Sequence, residues 1–94
     1  MNKVEKIFID KSLNRSGIIL YSKRDALEFV EECSRNGIKI LGIDGFFITD
    51  KTTQPSLRDS IDFSTELYYR NIHTIAKKFI ERKEDNLYFE IVCE

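Results

Sequence analysis

The spacing of apolar positions changes period several times along the chain, and each change marks an element. From Lys3 to Asp10, Val4, Lys6, Phe8 and Asp10 alternate with Glu5, Ile7, Ile9 and Lys11, a period of two that predicts a first strand. Leu13-Asn14-Arg15-Ser16-Gly17 carries turn formers, and Ile18 to Tyr21 follows as a second short strand, so the two strands are expected to form a hairpin. The period then lengthens. Ser22 and Asp25 have capping-box spacing, and Ala26, Leu27, Val30 and Cys33, with Phe29 beside them, make one apolar helix face. Asn36-Gly37 ends that helix, because glycine enters a left-handed cap without a Cβ penalty.

Ile38 to Asp50 is apolar at both parities, as in a central strand covered on both sides. Within it Asp44-Gly45 fits a tight hairpin turn or a bulge in one long strand, and both readings stay open. Residues 50–63 hold turn formers and the sole proline without a sustained period. They are expected to form a long loop, a feature more often functional than short connections are. Asp62 or Ser64 can cap a second helix whose buried stripe is Tyr68, Ile72, Ile75, Ala76, Phe79 and Ile80. Glu84-Asp85-Asn86 breaks it, and Leu87 to Cys93 alternates as a final strand. The expected architecture is α+β, with residues 1–94 forming a single domain. Its sheet has four or five strands with two helices packed on it, in the order β-β-α-β-(β)-α-β.

Composition narrows the chemistry more than the fold. Ninety-four residues, 41% hydrophobic and 33% charged, support one core. No apolar run approaches a membrane span, and charges occupy the amino-terminal stretch where a secretion signal needs apolar residues, so a cytoplasmic location is expected. Cys33 and Cys93 form no metal-ligand spacing and are expected to be reduced, with no cofactor or metal. Phosphate loops, serine elbows and zinc motifs are missing from the sequence. The single histidine, His73, has no acid–base partner nearby in sequence. The chain is therefore expected not to be an enzyme.

Net charge is −1, too little positive excess for sequence-independent nucleic-acid binding, but its distribution is uneven. Arg70, Lys77, Lys78, Arg82 and Lys83 give the second helix a basic outer face, interrupted by Glu81 and followed by Glu84 and Asp85. A regulatory module that contacts nucleic acid through this face is the alternative reading. Residues 43–66 set five acids, Asp44, Asp50, Asp59, Asp62 and Glu66, against Lys51 and Arg58, with Phe46, Leu57, Ile61 and Phe63 interleaved. Acidic and apolar groups together suit an interface with a basic protein, where opposite charge steers association.

Leu41-Gly42-Ile43-Asp44-Gly45-Phe46, with Gln54-Pro55-Ser56 and Asp59-Ser60-Ile61-Asp62-Phe63-Ser64, resembles the small immunity proteins of bacterial contact-dependent growth inhibition and polymorphic-toxin systems. The similarity spans roughly residues 17–80. It implies a protein without enzymatic activity that binds one co-encoded toxin, often a nuclease or tRNase, and covers its active site or substrate surface. Such a toxin holds a polyanion and presents a basic cleft, which carboxylates can occupy in place of phosphates. Asp44, Asp50, Asp59, Asp62 and Glu66 are the candidate toxin-binding residues, with Phe46, Gln54 and Tyr69 as supporting contacts. The expected partner is the toxin domain, with no direct nucleic acid and no membrane, and the protein is expected to be a monomer or weak homodimer.

Overall fold

The computed structural model describes residues 1–64 and 71–94. The elements are α1 (Lys3–Phe8), a short 3-10 turn (Ile9–Lys11), β1 (Leu13–Arg15), β2 (Ile18–Ser22), α2 (Lys23–Arg35), β3 (Ile40–Ile48), β4 (Thr53–Asp62), α3 (Ile72–Glu81) and β5 (Leu87–Cys93). The five strands form one antiparallel sheet in the order β1-β2-β5-β3-β4. The α+β class, the helix after Ser22 and the closing strand agree with the sequence reading, which named two helices where the described residues hold three.

The first element is a correction. Lys3 to Asp10 begins as a helix, because Asn2 accepts from the Glu5 backbone N–H at 2.8 Å while the Glu5 side chain accepts from the Asn2 N–H. Val4 and Phe8, four apart, are its buried residues. A helix this short is marginal alone, so burial of those two side chains, worth roughly 1.5–3 kcal/mol each, holds it in place. Phe8 meets Phe29 edge-on at 5.4 Å between ring centroids, and Tyr21 lies 5.0 Å from Phe29. The hairpin partner of β2 is therefore Leu13–Arg15. Its two-residue turn has positive φ at both Ser16 (53°) and Gly17 (89°), the primed geometry that matches strand twist.

The second correction concerns residues 50–63. Thr53–Asp62 is a ten-residue edge strand, so the expected long loop shrinks to the short turn between β3 and β4. Pro55 is tolerated there because an edge strand has one side without ladder bonds. Asp44-Gly45 lies inside a continuous β3, which settles the open alternative in favour of a bulge. The extra residues belong to β4. Asp44 pairs with Ser60 and Gly45 with Ser56, leaving Leu57, Arg58 and Asp59 without partners on β3. The described part of the second helix begins at Ile72, and its expected start, with Glu66, Tyr68 and Tyr69, lies outside the described residues.

Helices α2 and α3 pack on each other and on one face of the sheet. The main core joins Phe29, Val30 and Cys33 of α2, Ile72, Ala76 and Ile80 of α3, and Ile43, Leu87, Phe89 and Ile91 of the sheet. Leu20 and Phe46 are also buried but lie outside that cluster, on the opposite face by strand alternation. Arg15 of β1 reaches the Thr52 carbonyl at 3.4 Å, curling the two ends of the sheet toward each other over that face.

Candidate protein-binding surface

The acidic tract of the sequence divides into three environments. Asp44 stands directly opposite Glu90 on β5, and Gly42, two residues before Asp44, stands opposite Asp62 on β4. Alternation therefore sets Asp44, Asp62 and Glu90 on the face away from α2 and α3. Ser60, the β4 partner of Asp44, donates its hydroxyl to Asp44 Oδ1. Asp62 accepts from the Ser64 N–H at 2.8 Å, and hydrogen bonding by Ser64, through its side chain first and its backbone second, holds the Asp62 carboxyl below the ordinary range. Partial burial, and secondarily the Asp44 charge, push the Glu90 carboxyl upward. Among the described residues none of these three carboxylates forms a salt bridge.

The second environment is the β3–β4 turn. The Thr49 N–H donates to the Thr52 carbonyl at 3.0 Å and the two hydroxyls lie 2.6 Å apart, bracing a tip that exposes Asp50, with Gln54 exposed just beyond. Asp50 lies six positions beyond Asp44, about 20 Å of extended chain, so the two carboxylates belong to distinct patches.

The third is internal. Asp59 is 8% exposed; it accepts from the Ser56 hydroxyl at 2.5 Å and pairs with Lys83 at 3.0 Å. The Ser56 bond first, then Lys83, hold its carboxyl below the usual aspartate range. The bulge turns it toward the end of α3, and Gly45 makes room: a Cβ there would lie 2.9 Å from the Asp59 Cβ. Phe46 is buried as well, opposite Tyr88 and Pro55. Glu66 and Tyr69 lie outside the described residues. The structure thus gathers Asp44 and Asp62, sets Asp50 and Gln54 at the turn, and turns Asp59 and Phe46 inward.

Glu90 was missed by sequence reasoning. Alternation in β5 gives its face, but its proximity to Asp44 depends on β5 lying between β2 and β3, a pairing that no local signal specifies.

The other candidate groups have structural partners. His73 Nε2 lies 2.7 Å from the Ile38 carbonyl oxygen, tying α3 to the chain after α2. Lys77 pairs with Glu31 at 2.7 Å and Lys83 with Asp59, so two cations of the basic helix are committed within the fold. Cys33 is buried, and its hydrogen bond with Cys93 raises its thiol above the ordinary range; Cys93 is half-buried and also accepts from Asn2 at 3.1 Å. No group of three or more His, Cys, Asp or Glu among the described residues is placed to hold a metal ion. No helix among them is long and apolar enough to cross a membrane. No protein-family model matches the chain, and no curated protein matches it.

Proposed function

We propose that this protein is a cytoplasmic immunity protein that binds a co-encoded toxin, a nuclease or tRNase with a basic cleft, and inhibits it without chemistry of its own. The observation that supports this most is the grouping of Asp44, Asp62 and Glu90 on one sheet face with no cation of the described chain bound to them. Unneutralised carboxylates on a rigid sheet are organised before binding, which lowers the cost of ordering them against a basic surface. Asp50 and Gln54 at the braced turn form a separate exposed patch that a second part of the same partner can contact. The resemblance over residues 17–80 supplies the partner class.

The test uses the toxin domain that the proposal requires to be co-encoded with this protein, purified and mixed with it. A tight 1:1 complex is expected, with an association rate that falls as salt rises. Combined Asp44→Lys and Asp62→Lys substitution should weaken it by about 2 kcal/mol or more. Unchanged affinity in that variant would discard the acidic face as the site, and no complex at all would discard the function.

A further inference from the structure

The β4 bulge faces the end of α3 across a groove whose charge is opposite to that of the acidic face. One hollow of about 510 Å³ is lined by Phe47, Arg58 and Arg82, and an adjoining one of about 330 Å³ by Ile61, Ile75, Lys78 and Phe79. Arg82 and Lys83 border both, so the two hollows adjoin there as a trough along β4 and α3. Leu57, the neighbour of Arg58 among the unpaired residues of the bulge, is 91% exposed.

The wall is rigid for a reason. Lys83 binds Asp59 at 3.0 Å and lies 4.7 Å above the Phe79 ring, clamping the bulge to α3. With Lys83 consumed in this way, Arg58, Lys78 and Arg82 are exposed and enter no salt bridge among the described residues. Lys78 and Arg82 stand four apart on one helix face, and Arg58 faces them from the strand.

We infer that this trough between β4 and α3 is a second docking surface, which takes an acidic segment of a partner protein carrying apolar side chains between its carboxylates. Charge complementarity selects the acids, since Arg58, Lys78 and Arg82 border the trough outside any salt bridge of the described residues, against Glu84 and the Lys83-paired Asp59. The lining selects apolar side chains, because Phe47, Ile61 and Ile75 offer apolar surface. Nucleic acid fits less well. Lys83 already covers the Phe79 ring where a base would stack, and three cations give a weak phosphate footprint. This inference does not depend on the toxin reading, because it concerns the opposite charge and a different part of the sheet.

The experiment is an NMR titration of the full chain with a synthetic peptide in which Glu and Asp alternate with Leu. Parallel titrations use the same peptide with Lys at every acidic position and a single-stranded oligonucleotide. Saturable shifts at the amides of Phe47, Leu57, Arg58, Phe79 and Arg82 are expected with the acidic peptide alone. They should weaken about tenfold or more in Arg58→Glu/Arg82→Glu, and also in Leu57→Ser, both at exposed positions that leave the fold's spectrum dispersed. Equal binding of the lysine peptide, or of the acidic peptide by both variants, overturns the proposal. Tighter binding of the oligonucleotide at these residues replaces it with a nucleic-acid surface. The same shifts on concentrating the protein alone would assign the trough to a second copy of the chain.

Discussion

The carboxylate of Asp59 lies 3.0 Å from the ammonium of Lys83, so a residue of the edge strand's bulge is pinned to the residues just after α3. Both side chains are mostly buried, and Ser56 donates a further hydrogen bond to Asp59. Asp59→Asn keeps the shape but leaves Lys83 without its counter-charge. The expected loss is about 1–3 kcal/mol at neutral pH, read as a lower midpoint in chemical denaturation. The pH dependence has a definite sign. The fold lowers the pKa of Asp59 below its unfolded value of about 3.9, so it favours the ionised form. That stabilisation is complete above the unfolded value and is lost as pH falls through the lower folded value. The Asn variant should show a smaller loss of stability over that acidic window.

Gly45 is the counterpart of this anchor on β3. A methyl group there would meet the Asp59 Cβ at 2.9 Å and the Asp59 carbonyl oxygen at 3.0 Å, whereas one on Gly42 would lie 3.3 Å from the Ile61 carbonyl oxygen. Gly45→Ala should therefore cost about 1–3 kcal/mol by forcing the bulge outward, and Gly42→Ala less. Thermal denaturation of the two variants side by side checks the ranking. Equal stability would mean that the bulge shifts without cost.

Much of this arrangement could be read in the sequence, and the failures have identifiable causes. Helix α2 announced both ends through Ser22 and Gly37, and β5 alternated cleanly between two turns. In α1, Val4 and Phe8 fit a period of two and a spacing of four equally well. The deciding signal was the Asn2–Glu5 capping box, lying just before the alternating run. Residues 53–62 are polar and hold a proline because an edge strand exposes most of its length to water, so they gave no burial pattern. Asp59 and Asp62 looked equivalent in the acidic tract. The bulge separates them, and its cause, contact with Gly45 and Lys83, links residues distant in sequence.

Glu90 is expected to trade stability against binding. Burial and the facing Asp44 raise its pKa, so the fold disfavours its ionised form. The penalty is complete above the folded value and vanishes as pH falls below the unfolded glutamate value of about 4.3. Glu90→Gln should raise the melting temperature at neutral pH and lose that advantage in acid, while weakening the complex with a basic partner. A neutral-pH melting temperature below that of the unaltered protein would show that Glu90 is held by favourable contacts.

Asn2 ties the amino terminus to the rest of the chain. It caps α1, donates to the Glu94 carbonyl at 2.7 Å and reaches Cys93 Sγ at 3.1 Å. Asn2→Ala should cost about 1–2 kcal/mol and loosen α1 before the sheet opens. Hydrogen exchange is the direct readout. Amides of Lys6 to Phe8 should lose protection while those of Phe89 and Ile91 keep it.

The central claim is that carboxylates on the sheet face away from the helices dock onto a basic protein. Its most direct measurement is the association rate with the proposed co-encoded toxin domain, followed across ionic strength for the unaltered protein and for Asp44→Lys/Asp62→Lys. The expected result is fast association that slows steeply with salt, and a variant that is slow at all salt concentrations and fails to restore growth of toxin-producing cells. Equal rates, equal salt dependence and equal protection by the variant would contradict it.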